Sequence, residues 1–245
     1  MKTDARSDRE RAHGRFLIAR GAESAWNWTT PAGHRRARRR ASLIIAEAEL
    51  GPSVSALEIG CGTGMFTEWF AQTGAHVVAI DVSEELIDMA RERLLPFEHV
   101  EVRCGEFEAL ELEGQFDAVV GSSVLHHLDV DRALRKTFAL LKPRGRLVFA
   151  EPNMLNPQIF LERHARTLSM FDYVSADETA FVRWRLARKL RQIGFEDIRV
   201  KPFDWLHPRT PPAAIRTMER MGQAAESVPG LREFSGSLLI AAARP

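Results

Sequence analysis

The stretch that decides the fold of this chain is LEIGCGTG, residues 57–64. The residues just before the loop, 54–59, form a short apolar run that predicts a buried strand. The glycines that follow allow a sharp turn and a close approach of the backbone to a ligand. Phe66, Trp69 and Phe70 then recur at helical spacing, which predicts a helix directly after the loop. A strand, a glycine loop and a helix in this order indicate a ligand site at the start of the helix.

Strands and helices continue to alternate on the carboxyl side of this loop. A helix is predicted after Ser83, which can cap it, with an apolar stripe at Leu86, Ala90 and Leu94. Such alternation over about a hundred residues predicts βαβ units and a parallel sheet. Further strands are predicted at 76–80, 99–103, 116–121, 146–150, 195–203 and 237–243.

Composition places the chain among globular proteins with a sizeable core. It has 245 residues, 45% of them hydrophobic and 27% charged, and its formal net charge is +1. These values exclude a largely disordered chain and a strongly basic nucleic-acid-binding protein. No apolar run approaches the roughly 20 residues that span a bilayer, and the N-terminus lacks the apolar core of a secretory signal. With only Cys61 and Cys104 there is no disulfide framework, so we predict a cytoplasmic protein without membrane contact.

The kind of nucleotide that the loop suits follows from two acids and a missing glycine. Asp81 ends the strand after the loop, where a carboxylate can accept hydrogen bonds from ribose hydroxyls. A dinucleotide site of the form G-x-G-x-x-G requires a glycine at position 65, but that residue is Met65 and the third glycine is Gly64. Glu58 would repel a pyrophosphate and attract an ammonium group. The loop therefore suits an adenosine that carries an aminoacyl tail.

On these residues the chain resembles the class I S-adenosylmethionine-dependent methyltransferases, over about residues 50–150 and, by pattern, over the last fifty. Gly105-Glu106, FDAVV at 116–120 and VLHHL at 124–128 match further family segments, the last one common in the small-molecule branch. LKPRG at 141–145 matches too, with Arg144 where a second glycine is frequent. We treat that departure as mild because only one residue of the turn needs a positive φ. The resemblance implies an α/β, Rossmann-like fold: a seven-stranded, mostly parallel sheet whose last strand is antiparallel between strands five and six, with helices on both faces.

The resemblance also implies the residues that would contact S-adenosylmethionine. The glycines would hold the loop against its methionine part, and Glu58 would anchor that region directly or through water. Asp81 would bind the ribose, and Glu106 the adenine amino group unless it is an ordinary surface acid. Cys61 is interpreted as a small filler of the loop. The predicted cofactor-binding residues are Glu58, Gly60, Cys61, Gly62, Gly64, Asp81, Val82, Glu106 and Ser122.

Methyl transfer from a sulfonium is an in-line displacement, so the protein must orient the acceptor and, for a hydroxyl or an acidic C–H, remove a proton. His126 and His127 follow the fourth strand and suit the proton role, with His127 slightly preferred. The alternative is that they only begin a helix. Glu151, at the tip of strand five, is a third candidate, unless it is a structural carboxylate bound to backbone N–H groups. Beyond the histidine pair no tight ligand cluster stands out, so no metal is expected.

We divide the chain into an N-terminal lid or arm, residues 1–33, and a single methyltransferase domain, residues 34–245, with insertions at about 152–178 and 207–231. The arm and the insertions are rich in aromatics and methionines that could cover the acceptor and exclude water. The alternative is that these side chains pack as satellite clusters under long loops. They are Trp26, Trp28, Met154, Phe160, Met170, Phe171, Tyr173 and Met218.

One basic cluster, at 34–40, lies in a helix predicted at about 34–50. It could contact nucleic acid, form a solvated helix face or border an anionic substrate, and the near-neutral net charge favours the last two. We predict a methyltransferase that uses S-adenosylmethionine on a small-molecule acceptor, with no nucleic-acid or membrane partner, as a monomer or homodimer. The alternatives are an RNA- or protein-directed methyltransferase and a non-catalytic nucleoside-binding module.

Overall fold

The computed structural model describes residues 14–15, 21–164 and 180–245, with the backbone alone for 162–164. Met170, Phe171 and Tyr173 of the predicted lid lie outside these residues, as do most of the first twenty.

The strands form one seven-stranded sheet in the order β3-β2-β1-β4-β5-β7-β6. Strands β1 to β5 pair in parallel, and β7 runs antiparallel between β5 and β6. The predicted fold class, including the antiparallel last strand, is confirmed. The strands are β1 (Ser55–Ile59), β2 (His76–Asp81), β3 (Val100–Cys104), β4 (Phe116–Ser122), β5 (Leu141–Pro152), β6 (Glu196–Phe203) and β7 (Ser237–Ala243).

Helices cover both faces of the sheet, so the core has two layers. Ile44, Phe70 and Ile87 are buried on one face, and Leu134 and Leu190 on the other. The described helices are α1 (Ala22–Ala25), α2 (Pro31–Ala48), α3 (Met65–Ala71), α4 (Glu84–Leu94), α5 (Val130–Leu140), α6 (Pro157–His164), α7 (Arg183–Ile193) and α8 (Ile215–Ser227). No helix among the described residues is long and apolar enough to cross a membrane.

Helix α2 begins three residues earlier than the sequence pattern indicates. The side chain of Thr30 accepts a hydrogen bond from the Gly33 amide at 2.9 Å, and Pro31 occupies the first turn. Proline is favoured there because the missing N–H would have no partner in the helix, so Thr30 and Pro31 form a capped start before the predicted residue 34.

Strand β5 is longer than the predicted 146–150, because the turn before it is itself part of the strand. Arg144 takes a φ of 66° there, whereas Gly145 is not among the residues with positive φ. The positive φ therefore falls on the residue with a side chain, and the departure from the family pattern is a strained position. Helix α6 lies within the predicted insertion at about 152–178, for which no helix was predicted.

The topology brings several loops to one edge of the sheet. Because β1, β2, β4 and β5 are parallel, their carboxyl ends at Ile59, Asp81, Ser122 and Pro152 share this edge. In open α/β sheets this is the edge at which ligands bind.

Candidate functional site

A cavity of about 640 Å³ opens at the carboxyl edge of the sheet. Its volume lies within the range of small-molecule sites, roughly 300–1,000 Å³. Following the strand order, we call its two sides the β2 half and the β5 half. The β2 half is lined by Gly60, Cys61, Gly62, Thr63, Asp81, Val82, Ser83, Gly105 and Glu106. The β5 half is lined by Arg36, Arg40, Ser122, Ser123, Pro152, Asn156, Asp204, Trp205 and Ser237.

The glycine loop cannot carry side chains at two of its positions. Gly60 has a φ of 72°, and a Cβ there would lie 2.4 Å from the side chain of Val124. Gly62 has a φ of 53°, and a Cβ there would lie 3.0 Å from the ring of Trp26. Gly64 faces α4 rather than the cavity, with Ala90 3.1 Å from the place of its Cβ. The loop is therefore packed against neighbouring elements at each of these three glycines.

Asp81 holds the loop in place. One carboxylate oxygen accepts a hydrogen bond from the Gly62 amide at 2.9 Å, and the other accepts one from the Ser83 amide at 3.0 Å. Burial raises the pKa of Asp81 despite these amide bonds. A carboxylate has about four acceptor positions, so Asp81 keeps capacity to accept a hydrogen bond from a ligand in the cavity.

Val82 and Glu106 also line the β2 half, and of the two only Glu106 has a charged side chain. Glu106 follows β3, and its side chain has no hydrogen bond or ion pair with any part of the chain that the structure describes. A carboxylate in a cavity wall without a protein partner suits a ligand amino group.

Glu58 and Cys61 are more deeply buried than the direct cofactor contact implied by the resemblance would require. Glu58 is 1% exposed and is not part of the cavity wall. Burial raises its pKa to about 8, so the carboxyl is largely neutral at pH 7 without a ligand. Burial also raises the pKa of the Cys61 thiol well above its usual value, which agrees with a filler rather than a nucleophile.

His126 and Glu151 form a buried pair. The Nδ1 atom of His126 lies 2.7 Å from Glu151 Oε2, and Glu151 Oε1 accepts hydrogen bonds from the Val124 and Leu125 amides at 2.9 Å each. Burial alone would raise the pKa of Glu151, but the hydrogen bond with His126, the positive charge of that ring when it is protonated, and the two amides hold the pKa below its usual value. Glu151 is fully buried and not in the cavity wall, whereas His126 is in it. Glu151 can therefore act on a ligand only through His126.

His127 lines the cavity beside His126. The two ring centroids are 4.2 Å apart with the planes tilted by 38°. Both histidines belong to a short 3-10 turn, Leu125–His127, which places them at the end of β4. The structure thus brings both predicted histidines to the cavity, and it orients His126 through Glu151.

Most of the basic cluster is paired within the chain. Arg35 binds Glu219 at 2.7 Å, and Arg39 binds Glu226 at 2.6 Å, so both tie α2 to α8. These two guanidinium groups are therefore occupied by the protein's own acids. Arg40, by contrast, is buried and lines the cavity.

The segment before α2 lies on the glycine loop. Glu23 accepts a hydrogen bond from the Thr63 hydroxyl at 2.8 Å and pairs with Arg93 at 2.6 Å. Trp26 and Trp28 both line the cavity. Of the other predicted lid residues, Phe160 is 51% exposed and Met218 is 37% exposed, and neither lines the cavity.

Sequence reasoning overlooked two features of the β5 half. Arg40 was treated only as one member of a basic cluster, although it lies on the stripe of Ala37, Ala41 and Ile44, which is the buried face of α2. That position on an apolar face was the available signal. Trp205 lies in a stretch for which no role was predicted.

Comparison with known proteins shows that the chain is similar in sequence to methyltransferases. Residues 57–149 match the family model described as "Methyltransferase domain". The chain is 32% identical over 145 residues to a ubiquinone biosynthesis O-methyltransferase of Coxiella burnetii, covering 56% of this chain and 61% of that protein. It is 31% identical over 125 residues to nodulation protein S of Rhizobium tropici, covering 49% of this chain and 52% of that protein. The matches thus span only about half to three fifths of these relatives.

Among solved structures, the N-methyltransferase NodS of Bradyrhizobium japonicum, in complex with S-adenosylhomocysteine, superposes with a TM-score of 0.59. It is 19% identical, and the match covers 89% of both chains. At this identity the likeness concerns the fold, which extends over nearly the whole chain.

Proposed function

The chain carries a class I S-adenosylmethionine-dependent methyltransferase domain, and from this premise we propose that it transfers a methyl group to a small-molecule acceptor. One observation carries the proposal: a single cavity joins the β2 half, whose residues suit an adenosine and its aminoacyl tail, to the β5 half, which is lined by different residues and is assigned here to the acceptor. S-adenosylmethionine supplies, when bound, a methyl group on a positively charged sulfur.

The β2 half has groups that suit the cofactor's parts. We assign the ribose hydroxyls to Asp81, which retains acceptor capacity beside its hydrogen bonds with backbone amides. We assign the adenine amino group to Glu106, and the methionine part to the backbone at Gly60 and Gly62. Glu58 acts in this proposal from beneath the loop, where a nearby ammonium would favour its ionised form.

We propose His126 as the general base when the acceptor must lose a proton, with Glu151 as its positioning residue. An ionised carboxylate at Nδ1 fixes the tautomer and leaves the lone pair of the neutral ring on Nε2. The same carboxylate stabilises the imidazolium that proton transfer forms. His127, favoured slightly by the sequence, also lines the cavity, and in this proposal it serves as a second wall residue.

A small-molecule acceptor is supported by the ion pairs that arginines of the basic cluster form with acids of the same chain. An RNA-directed enzyme needs cations that are available to phosphates, yet Arg35 and Arg39 are paired with acids of α8. The aromatic wall formed by Trp28 and Trp205 instead suits a compact acceptor shielded from water. The cytoplasmic location and the monomeric or homodimeric state stay predictions.

The experiment that tests the proposal is a metabolite screen that detects S-adenosylhomocysteine as the product. We expect formation of S-adenosylhomocysteine with small molecules and none with bulk RNA or unfolded protein as acceptor. Product formed only with RNA or protein would contradict the small-molecule proposal. Binding of the cofactor with no turnover across either class would favour the non-catalytic alternative.

A further inference from the structure

Arg40 is an unusual residue for the interior of a protein. It is 3% exposed and lines the cavity, and it lies on the face of α2 that packs on the sheet. Its Nη1 donates to the hydroxyl of Ser123 at 2.7 Å, and its Nη2 donates to that of Ser237 at 2.6 Å. Longer contacts join Nη1 to the Ser122 hydroxyl and to a backbone carbonyl. All these acceptors are neutral, so hydrogen bonding is provided but the charge is not balanced.

The nearby carboxylates do not pair directly with Arg40. Asp204 binds Arg36 at 2.8 Å, and Glu151 binds His126. Burial lowers the pKa of Arg40 to about 10, so it stays charged at neutral pH. A buried charge without a paired counter-ion is costly, and such charges in proteins are normally paired.

Two hydrogen-bond donors of the β5 half also lack acceptors. The Nε atom of Arg40 and the Nε1 atom of Trp205 are both buried and have no partner in the described part of the chain. Trp205 and Arg40 both line the cavity. Unsatisfied buried donors are rare in native proteins and indicate a ligand or a functional group that completes them. Both missing partners are acceptors, as an anion would supply.

We propose that the β5 half recognises a carboxylate of the methyl acceptor, with Arg40 as its counter-ion. A planar carboxylate matches the fork of donors on a guanidinium and forms charge-assisted hydrogen bonds with it. Trp28, whose ring lies 5.5 Å from the Arg40 Cζ atom and 5.7 Å from that of Arg36, forms an apolar wall beside the charge. The acceptor class is therefore a small organic acid with an apolar or aromatic body. That this acid is the methyl acceptor rests on the proposed function, whereas the anion site itself does not.

The competing explanation is purely structural, because Arg40 also ties α2 to the ends of β4 and β7. A structural arginine would stabilise the fold without preferring acids over neutral molecules of the same shape. Discrimination between an acid and its amide therefore separates the two roles.

The test uses benzoate and benzamide, which share a ring and differ in charge. Binding to the full chain is followed by tryptophan fluorescence at constant ionic strength, with and without saturating S-adenosylhomocysteine. We expect benzoate to bind at least about tenfold more tightly than benzamide, as the loss of a charge-assisted hydrogen bond implies. Equal affinities, or no saturable binding of benzoate, would overturn the proposal.

Variants of α2 supply the matched comparison. Arg40→Gln should abolish the preference for benzoate, and Arg40→Lys, which keeps the charge, should retain part of it. Arg38→Gln is the control, because Arg38 is an exposed residue of the same helix and does not line the cavity. If Arg40→Gln unfolds, the proposal is still tested by the ratio of benzoate to benzamide affinity in the wild type and in Arg40→Lys. An unchanged ratio in a folded Arg40→Gln variant would show that the site does not depend on this guanidinium.

Binding of S-adenosylmethionine by the same samples keeps the two proposals apart. Absence of the acid preference in the wild-type protein, with intact cofactor binding, contradicts only the anion site. A retained acid preference without cofactor binding contradicts only the methyltransferase proposal.

Discussion

At the scale of single residues, the pairing of His126 with Glu151 predicts which histidine matters for turnover. His126→Ala should lower kcat by about 100-fold or more, in the range of lost general-base catalysis, and Glu151→Gln should lower it through misorientation of the ring. His127→Ala should have the smaller effect. The measurement is steady-state turnover against pH, once an acceptor is known, with cofactor affinity checked in each variant. A larger loss for His127→Ala, or no loss in any variant, would contradict the assignment.

Glu58 predicts a pH dependence of stability. An acid with a raised pKa in the folded state binds more protons folded than unfolded, so the free energy of unfolding falls as pH rises. With a pKa of about 8 against the usual 4.5, this fall lies between about pH 4.5 and 8 and then stops. The free energy of unfolding is measured by urea titration of the ligand-free protein at several pH values. The difference in this free energy between wild type and Glu58→Gln should decline by a few kcal/mol as pH rises, on the order set by about 1.4 kcal/mol per pKa unit. A difference that is flat with pH would mean that Glu58 ionises normally.

The sequence predicted the residues of the β2 half better than those of the β5 half. Gly60, Gly62 and Asp81 belong to a local motif, so their relative positions follow from a few φ angles and one strand pairing. Arg40 reaches the cavity only because α2 crosses the ends of β4 and β7, more than eighty residues away in sequence. Its environment depends on tertiary packing, which no local pattern records.

At the scale of elements, the turn before β5 stores backbone strain at Arg144. Left-handed backbone costs a residue with a Cβ roughly 1–2 kcal/mol, and glycine avoids this cost although it loses more entropy on folding. Arg144→Gly should therefore raise the free energy of unfolding by about 0.5–1 kcal/mol, measured by denaturant titration. Arg144→Ala is the matched control, since it removes the side chain and keeps the Cβ. Equal effects of the two variants would attribute the change to the lost arginine instead.

Whole elements were predictable wherever apolar periodicity was clear. The last strand was predicted at its observed limits, Ser237–Ala243, because it is apolar throughout and buried. The helix Pro157–His164 was not predicted, since its residues are mixed in character and only weakly amphipathic. Helix α2 was predicted to begin three residues too late, because a proline in the first turn does not contribute to apolar periodicity.

At the scale of the whole molecule, the N-terminal segment is expected to act as a cover for the cavity. Deleting residues 1–28 removes Trp28 from the acceptor side, and with it Trp26 and Glu23, which lie on the glycine loop. We expect methyl transfer to be abolished and, because of the loop contacts, cofactor affinity to fall as well. Circular dichroism would check that the shortened chain is folded. A truncated protein that turns over its acceptor normally would exclude a covering role.

The most direct test of the central claim, that the β2 half binds S-adenosylmethionine, is isothermal titration with S-adenosylmethionine and with NAD. We expect saturable binding of S-adenosylmethionine and none of NAD. Asp81→Ala should weaken binding by about 1–3 kcal/mol, the cost of leaving polar ligand groups unpaired. The exposed Asp88→Ala on α4 should bind as wild type does. Binding of NAD without S-adenosylmethionine, or unchanged affinity in a folded Asp81→Ala variant, would contradict the account.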